Sequence, residues 1–435
     1  MVKDDARYLP LVNAGTALLS THFFTVLISF FRVPRRVAFH RFPSPTVVCW
    51  IGIAPSRVQL GCSFVALRNS KMRQPGKMHD QAQIAAVHMR SAGKQRVMNV
   101  MRGAFGGRQR PTIGLVLGAG GVVGQAYQAG VLAALEREVG WDPRNADIIV
   151  GTSAGSVTGA ALRIGVPATD LAATTYGAPL SRRGGALLER ILPPDAGPLP
   201  SPSVKALLRP WSLPSPALIT RVARRPLAFR PEVAAVTMLP RGQVDITERA
   251  RGLDDVMGDR WPDGLRICAV RRSDGARVVF GREGSPSARL ASAVLASCAI
   301  PGYFRPINID GHEYVDGGIH SVTNADVLKS EGLDIVIIVS SMSAAHGNAR
   351  GADAMLRRSV HRRMEREVTR LEAGGSAVIR LEPGGESRRM MGLRAMAEDR
   401  GPRVIEAAYE ETRKRVLSTP FLACLGRPAR TSAVG

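Results

Sequence analysis

Uninterrupted apolar runs, each followed by a glycine-rich turn and a helical pattern, mark the middle of the chain. Residues 113–117 and 147–150 are two such runs, and each has the length and composition of a buried strand. After the first run, apolar residues at positions 127, 131, 132 and 135 predict a helix over 125–139. After the second run, residues 156–162 are small and compatible with a helix. The alternation predicts an α/β domain.

The pattern continues in the second half of the chain. Residues 306–318 predict a hairpin with its turn at Asp310-Gly311. Apolar runs at 334–341 and 377–381 predict two further strands, and mixed charge around 361–371 is typical of a solvated helix. A last helix is expected near 403–417. No internal repeat is visible.

The second glycine-rich turn contains a serine in the pattern G-x-S-x-G. Gly151, Ser153 and Gly155 lie between a predicted strand and a predicted helix. In such an elbow the serine occupies a strained turn, and the flanking glycines leave its hydroxyl exposed above the sheet. Ser153 is therefore the candidate nucleophile, and the competing interpretation is a simple Gly/Ser turn that caps the helix.

The first glycine-rich turn, residues 118–124, places several backbone N–H groups at a helix N-terminus. Such groups suit a phosphate or a developing oxyanion. A dinucleotide-binding G-x-G-x-x-G motif counted from Gly118 would need glycine where Val123 stands, and Gly124 comes one residue late. No P-loop lysine follows. We therefore rank an oxyanion hole above a nucleotide site.

Asp316 ends the predicted hairpin and is followed by Gly317 and Gly318, which allow another backbone to approach closely. An aspartate in this position could act as a general base. In isolation, Asp-Gly-Gly is a common turn. A catalytic role for Asp316 is favoured only because the two glycine-rich turns described above occur in the same chain.

Together with residues 297–306, these segments resemble the patatin-like phospholipase family over about half of the chain, residues 112–341. The resemblance implies a three-layer α/β/α fold with a central, mostly parallel sheet. It also implies a Ser-Asp dyad that hydrolyses acyl esters of lipids, with Ser153 as nucleophile and Asp316 as general base. The implied oxyanion donors are the backbone amides of Gly120, Gly121 and Val122. The motif glycines are Gly118, Gly124, Gly151, Gly155, Gly317 and Gly318.

Such a dyad needs neither a metal nor a cofactor, and we expect none. A carboxylate activates a serine hydroxyl when burial raises its proton affinity. One position departs from the family, because many relatives have Arg or Lys where this chain has Val123. A Ser-Asp-His triad using His320 or His312 is also conceivable, but in α/β-hydrolases the acid and the histidine lie on different loops. We expect both histidines to be dispensable.

Composition and charge bound the remaining chain. The 435 residues are 45% hydrophobic and carry a net charge of +23, so a sizeable core is possible. Five cysteines are scattered without C-x-x-C pairs, which predicts buried thiols and is compatible with a reducing compartment. Aromatic residues make up only 5%, and no nucleic-acid-binding module is visible, so we expect no nucleic acid partner.

Residues 1–110 form a basic N-terminal extension with 17 Lys and Arg against 3 Asp and Glu. Residues 8–31 are uncharged and long enough to span a bilayer, but they include Pro10, Asn13 and His22. Because residues 33–96 show no sustained period, translation starting downstream of Met1 is an alternative. We expect a cytoplasmic protein, with membrane association as a possibility.

Residues 111–420 are expected to form the catalytic domain, and 421–435 a C-terminal tail. Within the domain, residues 176–260 are rich in Pro and Arg and predict a cap over the site. Such a cap can contact an anionic membrane, or it can be a solvated insertion that packs on the fold. Three functions stay open: a lipid or ester acyl hydrolase, a catalytically silent lipid-binding protein of the same fold, and a nucleotide-binding oxidoreductase.

Overall fold

The computed structural model describes residues 110–192, 213–224, 230–344, 352–392, 394–419 and 425. The predicted N-terminal extension, with its candidate span at 8–31, lies outside the described residues except for Arg110. The predicted tail lies outside them except for Leu425.

The described residues form a sheet of eight strands in the order β5-β6-β3-β2-β1-β7-β8, and β4 pairs with β3. Strands β3, β2, β1, β7 and β8 are mutually parallel, whereas β4, β5 and β6 join antiparallel. The strands are β1 (Ile113–Leu117), β2 (Ile148–Thr152), β3 (Leu265–Arg271), β4 (Ala276–Phe280), β5 (Ile307–Ile309), β6 (His312–Asp316), β7 (Ile335–Val339) and β8 (Ala377–Leu381).

Helices cover both faces of this sheet. The α-helices are α1 (Gly121–Ala134), α2 (Ala154–Ile164), α3 (Ala168–Tyr176), α4 (Arg182–Ile191), α5 (Pro216–Arg224), α6 (Pro231–Thr237), α7 (Arg251–Met257), α8 (Leu290–Cys298), α9 (Ala352–Ala373), α10 (Gly385–Met391) and α11 (Gly401–Leu417). The C-terminal end of α1 continues as a π-helical turn, Leu135–Val139.

Alternate residues of the central strands enter two separate cores. On β1, Leu115 and Leu117 belong to the core that α1, α2, α8 and α11 share, whereas Val116 faces the core formed with α9. Because both faces are covered, β1, β7 and β8 are buried along their whole length. The predicted three-layer α/β/α fold with a mostly parallel sheet is confirmed.

None of the helices in the described ranges is both long enough and apolar enough to cross a membrane.

Candidate active site

Ser153 lies at the sharp turn between β2 and α2. Its backbone adopts φ 52° and ψ −121°, a left-handed conformation that costs a non-glycine residue free energy. The turn can be this tight because Gly155 lies against β1, where a Cβ atom would collide with the carbonyl oxygen of Leu117. The elbow thus presents the Ser153 side chain beyond the carboxyl end of the sheet.

Asp316 reaches Ser153 because two strands share one edge of β3. Strand β2 runs along that edge and ends with Thr152 opposite Cys268. Strand β6 runs the opposite way along the next stretch of the same edge and ends with Asp316 opposite Ala269. β4 occupies the other edge of β3. The two strand ends therefore meet head to head, and the residues after and at those ends, Ser153 and Asp316, are brought together.

The Asp316 carboxyl group is enclosed and has few partners. Only 7% of the residue is exposed. Its Oδ1 accepts a hydrogen bond from the Gly318 N–H at 2.7 Å, and the Ser153 side chain hydrogen-bonds to it as well. Burial raises the pKa of Asp316 to about 6, and these two hydrogen bonds oppose that shift. At neutral pH this carboxyl group is therefore ionised, and its proton affinity is higher than that of an ordinary aspartate.

Three backbone amides at the start of α1 point to no partner. Among the residues that the structure describes, no acceptor is paired with the N–H groups of Gly120, Gly121 or Val122. The flanking amides are all occupied: Ala119 N–H donates to Val322 and Val123 N–H to Ala395. Gly121 has φ 63°, and a Cβ there would lie 2.7 Å from the carbonyl oxygen of Ala395, so the position requires glycine.

A cavity of about 450 Å³ extends from Ser153 into the helical layer. Its volume is within the range of small-molecule sites, and its walls are mainly apolar. Ser153, Gly121 and Val122 lie on it, so the serine and two of the three residues with unpartnered amides face the same space. Further walls come from α2 (Val157, Ala161), α4 (Leu188, Ile191), α7 and the turn before it (Ile246, Ala250, Leu253) and α8 (Val294, Leu295).

Residues 115–329 match the family model described as patatin-like phospholipase. This part of the chain belongs to that family. At family level, the patatin-like phospholipase domain is a lipid acyl hydrolase domain.

Two solved structures also resemble the chain. One is VipD from Legionella pneumophila, with 14% identity, 71% of this chain and 67% of that chain covered, and a TM-score of 0.34. The other is human GIVD cytosolic phospholipase A2, with 11% identity, coverage of 78% and 66%, and a TM-score of 0.34.

Val123, the departure from the family pattern, is buried in the core of the patatin-like domain. Only 2% of the residue is exposed, and it packs within the core that α1 shares with the sheet. Its N–H group is occupied by Ala395, so neither its side chain nor its amide faces the cavity. The position therefore carries no charge here and leaves the three unpartnered amides before it in place.

Neither histidine of the hairpin region lies in a triad. His312 begins β6 and is exposed. His320 has its pKa lowered to about 3 by burial and by the positive charges of three arginines, Arg277, Arg230 and Arg363. Its backbone carbonyl, at 2.6 Å from Arg230 and 3.0 Å from Arg363, accepts from two of them. Among the described residues, Asp316 is hydrogen-bonded by Ser153 and Gly318, and neither is a histidine.

Cys298 lies close to Ser153 and also lines the cavity. Its Sγ is 3.7 Å from the Ser156 hydroxyl oxygen. Burial raises the pKa of the Cys298 thiol to about 12. The thiol is therefore protonated at neutral pH, and a protonated thiol is not the nucleophilic form of cysteine.

Two side chains that received no role from the sequence contact Ser153 or the residues next to Ser153 and Asp316. The Ser297 hydroxyl accepts the Ser153 N–H at 2.8 Å. The Asn324 amide donates to Thr152 Oγ1 at 3.1 Å and to the Gly317 carbonyl at 3.3 Å. Ser297 stood in the family-like segment, which was the available signal, whereas nothing in the local pattern around Asn324 indicated its contacts.

Proposed function

We propose that this chain is a serine-dependent lipid acyl hydrolase that uses Ser153 and Asp316 as a catalytic dyad. One observation carries the proposal: a buried carboxylate hydrogen-bonded to a strained serine, beside unpartnered amides and an apolar cavity. A nucleophile, a base, an oxyanion site and a place for an apolar chain are the parts that ester hydrolysis on a lipid needs.

In the first step, Asp316 takes the proton of the Ser153 hydroxyl while Ser153 Oγ attacks the ester carbonyl carbon. The carbonyl oxygen becomes an oxyanion, which the amides of Gly120, Gly121 and Val122 stabilise by hydrogen bonds. Each preorganised donor of this kind contributes roughly 2.7–4 kcal/mol to transition-state stabilisation. The intermediate collapses as the leaving alcohol takes the proton from Asp316, and an acyl-enzyme remains.

In the second step, Asp316 deprotonates a water molecule that attacks the acyl-enzyme carbonyl. The same amides hold the second oxyanion, and its collapse returns the proton to Ser153 and releases the fatty acid. Both halves use the same base, oxyanion site and nucleophile.

The cavity is the proposed acyl-chain site. An ester carbonyl at Ser153 places the adjoining hydrocarbon among Val157, Ala161, Leu188 and Leu253. Burying each methylene group contributes about 0.8 kcal/mol, so the cavity favours substrates with chains long enough to fill it. Arg249 and Glu398 are the charged residues among the described lining.

We further propose that the predicted cap contacts anionic membranes through α5. Leu213 is 88% exposed and Ile219 is 59% exposed, and they lie just before and on this short helix. Helix α5 carries two arginines, Arg221 and Arg224, and no acidic residue. Exposed apolar side chains beside basic ones are typical of surfaces that insert into the headgroup region of anionic bilayers.

The experiment is fatty acid release from phospholipid in mixed micelles by the wild type and by Ser153→Ala, with lipid binding measured on the same samples. We expect the wild type to release fatty acid and Ser153→Ala to bind lipid without releasing it. A folded wild type that binds lipid without hydrolysis would instead establish the silent lipid-binding protein. Bound nicotinamide or flavin absorbance would point to the oxidoreductase.

A further inference from the structure

The C-terminal end of α8, residues 297–299, contacts the main chain at both halves of the proposed dyad. The Ser153 N–H donates to Ser297 Oγ at 2.8 Å. Two residues later along the same segment, the Ala299 carbonyl accepts the Asp316 N–H at 3.0 Å. One short segment therefore contacts the backbone of both Ser153 and Asp316, through the Ser297 side chain and the Ala299 carbonyl.

Ser297 also connects this segment to β3, the strand that pairs with Asp316. Its hydroxyl donates to the Cys268 carbonyl at 2.7 Å while it accepts from Ser153. The next residue of β3, Ala269, is the one opposite Asp316. The Ser297 side chain thus links Ser153 to Cys268 by two hydrogen bonds, and Asp316 pairs with the neighbouring residue, Ala269, in the sheet.

The Ser297 hydroxyl is closed off from solvent, and its single donor is in use. Ser297 is 0% exposed, and its single hydroxyl makes one donated and one accepted bond. Its partner Ser153 has a left-handed φ of 52°, a conformation that persists only where the surroundings hold it. Loss of this acceptor would leave a buried N–H unsatisfied in a strained turn.

We propose that Ser297 is a positioning residue of the Ser153–Asp316 dyad, which sets the nucleophile's backbone so that its hydroxyl meets the base. This inference rests on the proposed hydrolase function. The dyad depends on hydrogen-bond contact between two side chains, and a misplacement of about 1 Å can cost about 100-fold in rate. Substrate binding in the cavity does not depend on Ser297, which is not among the residues lining it.

The test compares Ser297→Ala with Ser376→Ala in hydrolysis of a soluble short-chain ester. Ser376 is a matched control, because it is also buried and its hydroxyl donates to the Leu333 carbonyl at 2.7 Å. It precedes β8, so it lies at the amino end of the parallel strands, opposite the site. We expect Ser297→Ala to lower kcat about 100-fold with KM changed less than about threefold, and Ser376→Ala to leave kcat unchanged.

The pH profile distinguishes positioning from a general loss of stability. The hydrogen bond from Ser153 lowers the pKa of Asp316, so a displaced serine should move the inflection of kcat/KM to higher pH. The titratable side chain facing Asp316 is the Cys298 thiol, which burial keeps protonated. Within the described residues, burial raises the pKa of Asp316 and the hydrogen bonds from Ser153 and Gly318 lower it, without a contribution from a charged side chain. An inflection at the wild-type pH in a slow Ser297→Ala enzyme would overturn the proposal.

A second variant and a crystal structure also test the positioning role of Ser297. If Ser297→Ala does not fold, Ser297→Cys retains a weak donor and acceptor, and its kcat should fall below wild type with KM unchanged. A crystal structure of either folded variant gives a readout apart from activity. We expect Ser153 to leave its φ of 52° and its contact with Asp316. An unchanged elbow would overturn the positioning role, whereas a wild type without ester hydrolysis would overturn the proposed function alone.

Discussion

The chemistry of the proposed site depends on the carboxyl group of Asp316. It is held by one backbone amide and by the serine that it would deprotonate, and burial raises its pKa to about 6. A base of this kind is ionised at neutral pH yet binds a proton more strongly than an ordinary aspartate. That combination is what general base catalysis near neutrality requires.

The pH dependence of hydrolysis should follow this carboxyl group. Because only ionised Asp316 accepts the serine proton, we expect kcat/KM for a soluble ester to rise with pH through about 6 and then to level off. Asp316→Asn should lower the rate by about 10²–10⁴-fold and abolish that inflection. Initial rates between pH 4.5 and 8.5 measure both. A wild-type profile that is flat across this range would contradict the assignment of the base.

The same carboxyl group should cost the folded protein stability at high pH. Its pKa in the folded protein is about 6, above the ordinary value of 3.8, so the folded state binds the proton more tightly than the unfolded state. The resulting stabilisation is complete below about pH 4 and is lost as pH rises through about 6. At about 1.36 kcal/mol per pKa unit, Asp316→Asn should be more stable than wild type at pH 8 by up to about 3 kcal/mol.

Urea unfolding of the wild type and Asp316→Asn at pH 4 and pH 8 tests this linkage. The difference between the two proteins should be small at pH 4 and favour the variant at pH 8. Equal stabilities at pH 8 would mean that the carboxyl group has no raised pKa in the folded protein.

Helix α2 contributes both the proposed nucleophile and part of the proposed acyl-chain cavity. Ser153 precedes its first turn, and Val157 lies on the cavity one turn later. Replacing Val157 by Phe should shorten the space for the acyl chain. We expect kcat/KM to fall about fourfold for each methylene excluded, which is the equivalent of about 0.8 kcal/mol.

A series of p-nitrophenyl esters from acetate to palmitate measures this chain-length effect. Acetate is the internal control, because its short chain does not reach the wall, and its hydrolysis should be unchanged in Val157→Phe. A uniform loss over the whole series would contradict the placement of the chain in this cavity.

The proposed membrane contact of α5 can be tested in a protein that does not hydrolyse lipid. In a Ser153→Ala background, we expect the double variant Leu213→Glu/Ile219→Glu to bind vesicles of phosphatidylcholine and phosphatidylglycerol at least about tenfold more weakly, because burial of such side chains contributes about 1.5–3 kcal/mol each. The matched control is Met355→Glu/Leu417→Glu, whose parent residues are 51% and 67% exposed on α9 and α11. Equal binding by all three proteins in vesicle sedimentation would sink the proposed contact.

Across the molecule, the local patterns predicted the parts of the fold that depend on local physics. Apolar runs identified β1, β2, β7 and β8, because strands covered on both faces must be apolar throughout. The hairpin of β5 and β6 was predicted from Asp310-Gly311 at its turn. The sequence analysis did not identify β3 and β4; Arg266 and Arg271 interrupt the apolar run in β3.

The contacts that assemble the site could not be predicted in the same way. Ser153 and Asp316 meet because β2 and β6 share an edge of β3, which is a matter of topology and not of any local pattern. Asn324 donates to Thr152 across 172 positions of sequence, and a single polar residue in a turn gives no sign of such a partner. Family-like motifs supplied the residues, and the sheet supplied their geometry.

The most direct test of the central claim is labelling by a fluorophosphonate, with the modified peptide located by mass spectrometry. We predict a single adduct on Ser153 in the wild type, none in Ser153→Ala, and labelling slowed by about 10²–10⁴-fold in Asp316→Asn. A folded wild type that forms no adduct, or that carries it on another residue, would contradict the assignment of Ser153 as the nucleophile.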